Sequence, residues 1–292
     1  MTLIYIRWGI DPEIFNLFGI SIRYYGLLFI TGLFLCRAVI KWVFEKEKIP
    51  IDNLDKLFIY GVVGIFVGAR LGHCLFYEPS YFLKHPLEII LPIQPKIGGG
   101  YKFTGYQGLA SHGGTIDLTI ALLIFSVKTK MSLLKVVDTI AIVAPLGAFF
   151  IRLANLMNSE IIGTPTKVPW AFIFEREDNI PRHPAQLYEG LVYLLIFISL
   201  ISLFKLRLVK LKTGVLFGLS ITLIFIARFF IEFVKERQVP FEEQLKLDMG
   251  QILSIPFIAI GTGFIIYGQI ATRRLNSAQH SACSQAGGTN RF

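Results

Sequence analysis

The hydrophobic residues of this chain fall into long blocks that are separated by shorter polar connections. A helix needs about 20 apolar residues to cross the hydrocarbon core of a bilayer. The candidate blocks are residues 22–40, 57–77, 115–127, 133–155, 186–204, 214–234 and 250–270. The third block is short unless the glycine-rich approach before it is included. The pattern predicts an all-α polytopic membrane protein with about seven transmembrane helices, and the alternative is a large soluble helical protein.

Lysine and arginine residues concentrate in every second connection. They follow the first, third, fifth and seventh blocks and comprise Lys41, Lys46, Lys48, Lys56, Lys128, Lys130, Lys135, Lys205, Arg207, Lys210, Lys212, Arg273 and Arg274. Because short cytoplasmic loops are enriched in Lys and Arg, we predict that these connections are cytoplasmic. The N-terminus then lies outside and the C-terminus inside. The net charge of +9 is explained by anionic lipid, and no nucleic-acid partner is predicted.

The outer connections, at about 78–112 and 160–185, are long and rich in Pro, Gly and aromatic residues. We predict that they form a small extracytoplasmic cap on a single transmembrane domain of residues 1–272. The low-complexity residues 273–292 are predicted to be a disordered cytoplasmic tail. The cysteines are Cys36, Cys74 and Cys283. They show no CxxC pair or metal-ligand spacing, so we predict free thiols and no metal site.

The second block carries a row of glycines. Gly64, Gly68 and Gly72 are spaced four apart. Small residues at this spacing allow two membrane helices to approach closely, so we predict a packing seam. Asp117, just inside the third block, has no explanation in the sequence.

Polar residues interrupt the blocks near the ends that this topology places outside. In the stretch RLANLMNSE, the residues Arg152, Asn155 and Ser159 are spaced to share one helical face. Asn158 and Glu160 point elsewhere and are predicted to cap or brace the segment end. A charged side chain inside a bilayer costs a few kcal/mol, so such residues favour a functional interpretation.

Two further groups lie at the same predicted depth. Arg228 and Glu232 are one helical turn apart in the sixth block, and His112 introduces the third block. Structural alternatives are an internal Arg228–Glu232 ion pair and an Arg152 side chain that reaches to the interface. Taken together, two arginines and a histidine predict an anionic ligand. The guanidinium fork suits phosphate, which phospholipid headgroups supply in the outer leaflet.

Several motifs, in order along nearly the whole chain, resemble those of the prolipoprotein diacylglyceryl transferase family. They are YYGLLF, GARLGHCLFYEP, HGG at 112–114, RLANLMNSEIIG at 152–163, RHPAQLYEG from Arg182, ARFFIEF around Arg228 and MGQILSIP from Met249. The resemblance implies a multi-pass transmembrane catalytic domain in the bacterial cytoplasmic (inner) membrane, with the active site toward the outer leaflet. The implied reaction moves the diacylglyceryl group of phosphatidylglycerol to the lipobox cysteine in the signal peptide of a preprolipoprotein. A thioether forms and glycerol phosphate leaves, without a cofactor.

The resemblance also implies roles for individual residues. Arg152 binds the lipid phosphate, Arg228 assists it or stabilises the leaving group, and His112 is the base for the incoming thiol or positions the substrate. The further matching positions are Tyr25 and Glu232 among the catalytic residues, and Asn155, Asn158, Glu160 and Gly163 for phosphatidylglycerol binding. A thiol with a pKa of about 8.5 benefits from a nearby imidazole, and arginines suit a leaving phosphate.

Two positions depart from the family pattern. Ala154 stands where the family usually has Gly, which should mostly affect packing, and Ile224 stands where a tyrosine is expected. The alternative functions are a transporter for an anionic solute and an inactive lipid-sensing protein. The chain lacks a two-fold repeat of broken helices, which disfavours the transporter.

Overall fold

The computed structural model describes the backbone of residues 5–17, 20–91, 93–96, 99–103, 108, 110–206, 213–237 and 247–287. Most of this part of the chain is helical. Its α-helices are α1 (Tyr24–Lys46), α2 (Asp52–Gly72), α3 (Pro79–Phe82), α4 (Pro86–Ile90), α5 (Ser111–Thr129), α6 (Leu133–Asn158), α7 (Ala185–Leu206), α8 (Val215–Ile231) and α9 (Met249–Gly287). A π-helical turn, His73–Tyr77, extends α2, and a 3-10 turn, Glu232–Val234, extends α8.

Six of the described helices are long and apolar enough to cross a membrane. They are Tyr24–Lys46, Asp52–Tyr77, Leu133–Asn158, Ala185–Leu206, Val215–Val234 and Met249–Ile270. They coincide with six of the seven predicted blocks. The remaining block corresponds to α5, a helix of 19 residues that is not among the six. Its first turns hold His112, two glycines and Asp117, which lower its apolar character, so the seventh span stays a prediction.

The chain also forms short β-strands, so the prediction of a purely α fold is wrong in this respect. The strands are β1 (Ile6–Trp8), β2 (Glu13–Leu17), β3 (Ile20–Arg23), β4 (Ile93–Pro95), β5 (Tyr101–Phe103), β6 (Phe172–Phe174) and β7 (Pro181–Arg182). β1 pairs in parallel with β6, which pairs antiparallel with β7, while β2–β3 and β4–β5 are antiparallel pairs. Strands of two to five residues give too short an alternation to be read from sequence.

The chain divides into two compact units, Lys41–Val136 and a larger unit of Met1–Ile40 with Val137–Phe292. In the smaller unit, the predicted glycine seam is confirmed as a contact between α2 and α5. A Cβ added to Gly68 would lie 2.4 Å from the Gly113 carbonyl oxygen and 2.4 Å from Asp117 Cβ. Asp117 is therefore part of this seam, where it packs against a position that has no side chain. Gly72, four residues further along α2, also packs against Gly113. A Cβ added to Gly72 would lie 2.8 Å from Gly113 Cα.

Glycines also permit close helix packing in the larger unit. A Cβ on Gly218 of α8 would lie 2.7 Å from the Gly261 carbonyl oxygen of α9. A Cβ on Gly32 of α1 would lie 2.9 Å from Phe150 Cβ of α6. Backbones that approach this closely gain van der Waals contact, which drives helix association where lipid is as apolar as the side chains. Cys36 and Cys74 are free thiols as predicted, while the side chain of Cys283 lies outside the described residues.

Asp138 of α6 holds the start of α8. Its carboxylate accepts hydrogen bonds from the backbone N–H groups of Gly214, at 2.6 Å, and Phe217, at 2.8 Å. These N–H groups have no partner within α8, because the first turn of a helix leaves its donors free. The contact therefore fixes α8 against α6, the two helices that carry Arg228 and Arg152.

The last helix is longer than the predicted span. α9 continues to Gly287, through most of the segment for which the sequence predicts disorder, and residues 288–292 lie outside the described part. Adding residues to an existing helix is easier than starting one, so the apolar span can extend into the polar residues that follow it.

Candidate functional site

Arg152 lies near the end of α6, and its partner is an acidic residue of α7. Arg152 Nε lies 2.5 Å from Glu189 Oε2, and the two side chains are 13% and 0% exposed. Arg152 also hydrogen bonds to the hydroxyl of Tyr193, one turn further along α7. A largely buried guanidinium with these partners does not reach out to the interface, so that alternative is wrong. The sequence places Glu189 at the start of an apolar block but does not show which residue it pairs with.

Asn155 and Asn158 both bind the Glu160 carboxylate. Asn155 Nδ2 donates to Glu160 Oε2 at 3.0 Å, and Asn158 Nδ2 donates to Glu160 Oε1 at 2.6 Å. Asn155 Oδ1 in turn accepts from Arg152 Nη1 at 3.3 Å. The predicted shared face of Arg152 and Asn155 and the bracing by Asn158 and Glu160 are therefore confirmed. Four of the predicted residues form one chain of hydrogen bonds.

The backbone just after α6 brings Glu160 to the asparagines. Ser159 and Ile161 have positive φ angles of 57° and 59°, so the chain leaves the helix and turns back. Ser159, predicted on the face of Arg152, therefore lies beyond the helix end. Gln186 Nε2 donates to the Glu160 backbone oxygen at 2.6 Å, which ties this turn to α7. Gln186 is fully buried.

Tyr25 and Arg228 also interact with this group of residues. The Tyr25 hydroxyl, in the first turn of α1, interacts electrostatically with Glu160 and Arg152. The Tyr193 hydroxyl interacts electrostatically with both Arg152 and Arg228. Both arginines therefore act electrostatically on one buried hydroxyl. Among the described residues, Arg228 Nε is a buried donor without a hydrogen-bond partner, which leaves it available to an anion.

Glu232 pairs with a residue that the sequence analysis did not single out. The Glu232 carboxylate lies 3.2 Å from Lys235 Nζ, and both side chains are buried. In the described part of the chain no Arg228–Glu232 ion pair forms, so that alternative is wrong, and Lys235 is the ion-pair partner of Glu232. A Cβ on Gly250 would lie 2.4 Å from the Glu232 carboxyl carbon, so a larger residue there would displace the Glu232 carboxylate.

Gly163 has a packing contact in this structure. Its N–H donates to the His183 carbonyl at 2.9 Å, and its carbonyl accepts from Arg182 Nη1 at 3.3 Å. A Cβ would lie 2.5 Å from the His183 carbonyl oxygen and 2.6 Å from that of Val234. The connections after α6 and α8 and before α7 can meet here only because Gly163 has no side chain. Its predicted lipid contact stays a prediction.

The other predicted positions lie as follows. His112 belongs to the smaller unit, where its exposed side chain lies in the first turn of α5. Its catalytic role stays a prediction. Ala154 is fully buried in α6, which agrees with an effect on packing, and Ile224 is half-buried in α8.

Comparisons with known proteins identify the family. The family model described as prolipoprotein diacylglyceryl transferase matches residues 12–267. A relative from Bacteroides fragilis is 55% identical over 265 residues, covering 91% of this chain and 96% of the relative. A relative from Chloroherpeton thalassium is 47% identical over 89% of this chain and 93% of the relative. One from Rhodospirillum rubrum is 35% identical over 87% and 90%.

All three relatives carry the name phosphatidylglycerol–prolipoprotein diacylglyceryl transferase. The match extends over most of the chain. It includes Arg152, Arg228 and all the residues described above that interact with them. The chain belongs to the prolipoprotein diacylglyceryl transferase family.

Proposed function

We propose that this protein transfers the diacylglyceryl group of phosphatidylglycerol to the lipobox cysteine of a prolipoprotein. The names of its relatives, which include phosphatidylglycerol and prolipoprotein, support the two substrates. The observation that carries the proposal is the largely buried Arg152, which Glu189 and Asn155 hold, together with Arg228, which acts electrostatically on the same Tyr193 hydroxyl as Arg152. One of them, Arg228, keeps a buried donor free among the described residues. A phosphate can occupy such a position because guanidinium groups bind its oxygens as a fork.

The reaction is a displacement at a glycerol carbon. The substrate thiolate forms a C–S bond with this carbon while the bond from the carbon to the phosphate oxygen breaks. The electron pair of that bond stays on the oxygen, and glycerol phosphate leaves. Preorganised guanidinium groups stabilise the charge that develops on the phosphate, typically by several kcal/mol relative to water.

The other residues of the proposed site orient Arg152 or accept the proton of the substrate thiol. Glu189 orients the Arg152 side chain through its Nε, and Asn155 does so through Nη1. The thiol proton passes to a base, for which His112 is the candidate, since an imidazole titrates near neutral pH. No cofactor takes part in this scheme.

The protein is a multi-pass protein of the bacterial cytoplasmic membrane in this proposal. Seven spans, with the N-terminus outside and the C-terminus in the cytoplasm, place the Arg152 site in the outer leaflet. The alternation of basic connections supports this orientation. The residues at 78–112 and 160–185, which include short helices and strands, form the extracytoplasmic cap.

The experiment is an in vitro transfer assay with purified protein, phosphatidylglycerol and a lipobox peptide. We expect the peptide to gain the mass of one diacylglyceryl group and glycerol phosphate to appear in equal amount. Uptake of an anionic solute into proteoliposomes without transfer would favour a transporter. Lipid binding without turnover would favour a sensor, and either result would overturn the proposal.

A further inference from the structure

Tyr193 of α7 is a partner of Arg152 that has no part in the reaction proposed above. Its side chain is 4% exposed, and Glu189 lies one helical turn before it on the same face of α7. Both residues bind Arg152, Glu189 at 2.5 Å from Nε and Tyr193 through its hydroxyl. A Cβ on Gly190 would lie 3.4 Å from Arg152 Cβ, so α7 packs closely against α6 here. The packing of these two helices therefore fixes the Tyr193 hydroxyl beside Arg152.

The same hydroxyl also interacts with a residue of α8. Helices α7 and α8 pack against each other, and Arg228 acts electrostatically on the Tyr193 hydroxyl. Arg228 Nε is buried and has no hydrogen-bond partner among the described residues. Away from water, an oxygen attracts a guanidinium more strongly than it does at the surface. One side chain of α7 thus acts on the arginines of both neighbouring helices.

A phenolic hydroxyl is suited to a place beside two cations. Its oxygen accepts a hydrogen bond from a guanidinium and carries only a partial negative charge. A carboxylate in its place would bring a full negative charge, in addition to that of Glu189, and would weaken the attraction of the arginines for a phosphate. The Tyr193 hydroxyl can therefore orient Arg152 without neutralising it.

The α8 helix lacks a hydroxyl at the position where one is expected. Ile224 lies one helical turn before Arg228 and is half-buried, whereas the family pattern leads to the expectation of a tyrosine there. An isoleucine side chain neither donates nor accepts a hydrogen bond. A tyrosine at position 224 would present its hydroxyl on the face of α8 that carries Arg228. In this chain the hydroxyl that acts on Arg228 comes from α7 instead.

We infer that Tyr193 is a positioning residue for the transfer reaction, and that its hydroxyl takes the place of one that α8 lacks at Ile224. The inference rests on the proposed function, because that function gives the two arginines a phosphate to hold. Tyr193 keeps the Arg152 guanidinium directed toward the same phosphate as Arg228. Removal of its hydroxyl should therefore weaken phosphate binding and turnover together.

The test removes the hydroxyl from α7 and then returns it from α8. Tyr193→Phe keeps the buried ring and should lower kcat/KM for phosphatidylglycerol about tenfold or more, because a hydrogen bond to a charged group is lost. The double variant Tyr193→Phe/Ile224→Tyr should recover to within about threefold of the wild type, since the two positions then compensate each other. The matched control is Tyr267→Phe, which removes the hydroxyl of a tyrosine that is 62% exposed on α9 and should leave kcat/KM unchanged.

Two results would overturn the inference. A wild-type kcat/KM in folded Tyr193→Phe would mean that the ring serves packing alone. A double variant as impaired as Tyr193→Phe would mean that position 224 does not supply the same hydroxyl. If Tyr193→Phe does not fold, the double variant is compared with Ile224→Tyr, and a loss of about tenfold between those two would overturn the inference in the same way.

A binding measurement separates this inference from the proposed function. Thermal stabilisation of the detergent-purified protein by inorganic phosphate does not require turnover. We expect Tyr193→Phe to need an about tenfold higher phosphate concentration than the wild type for the same rise in Tm, and the double variant to recover. Equal stabilisation of the wild type and Tyr193→Phe would overturn the inference. A wild type without any transfer, but with the expected order of phosphate binding, would overturn the proposed function alone.

Discussion

Replacing Arg152 with lysine is the most direct test of the proposed phosphate site. The arginine contacts three partners from one planar group: Glu189 through Nε at 2.5 Å, Asn155 through Nη1 at 3.3 Å, and the Tyr193 hydroxyl. Lysine keeps the positive charge, but its single ammonium group cannot reach these partners and a phosphate in the same fork geometry. The substitution therefore separates the effect of the positive charge on turnover from the effect of the fork geometry.

The expected effects follow from these contacts. One hydrogen bond to a charged group contributes about 1.5–3 kcal/mol to stability, and we expect Arg152→Lys to lose an amount of this order. Loss of one preorganised donor to a developing oxyanion lowers kcat by about 10²–10³, or roughly 2.7–4 kcal/mol, so turnover should fall in this range. Arg152→Ala should abolish turnover. It also leaves Glu189 as a buried carboxylate without its partner, which costs about 3–5 kcal/mol.

The assay is the initial rate of glycerol phosphate release in mixed micelles with saturating phosphatidylglycerol and lipobox peptide. Thermal unfolding of each purified variant separates loss of activity from loss of fold. Arg7→Lys is the control, because it makes the same change at a largely exposed ion pair. A folded Arg152→Lys protein with a kcat within about threefold of the wild type would refute the reasoning, since the fork geometry would then be dispensable.

Three further changes test other parts of the protein. Glu189→Gln keeps the side-chain size but removes the negative charge beside Arg152, so we expect a roughly 10- to 100-fold lower kcat; a wild-type kcat in the folded variant would contradict a positioning role. Asp178 accepts hydrogen bonds from Arg182 at 2.6 and 2.9 Å, which hold the pKa of its carboxyl below the ordinary value. Its stabilising effect is therefore present at neutral pH and lost as the pH falls below about 3.9, so the Tm difference between wild type and Asp178→Asn should shrink there and not at higher pH. His112→Gln should lower kcat about 10²–10⁴-fold at pH 7, with partial recovery toward pH 8.5 as the thiol ionises by itself; high residual activity at pH 7 would indicate positioning in place of base catalysis.

The local parts of the site could be predicted because they depend on neighbours in sequence. Arg152 and Asn155 are three residues apart in a helix, which places them on one face whatever the rest of the fold does. Asn158 and Glu160 brace the same helix end, and the structure bears this out. The glycine seam at Gly68 could likewise be predicted, since a four-residue spacing of small residues indicates a close helix contact.

The long-range partners were not predictable in this way. Arg152 pairs with Glu189, 37 positions away, and this choice depends on how α6 and α7 pack. Glu232 pairs with Lys235, a residue that the helical spacing of Arg228 and Glu232 does not single out. The same holds for Gly163, whose contacts come from segments before α7 and after α8.

The sequence by itself therefore determined where the membrane-spanning helices lie and which polar residues are unusual within them. It could do so because the bilayer imposes a fixed length and polarity on each helix separately. Only the tertiary structure decided which of those residues interact: Tyr193 with both arginines, and Glu189 with Arg152. It also decided how the short strands of the connections pair. Which side chains pair between two helices depends on where the helices cross. The hydropathy pattern along the sequence does not predict that crossing point.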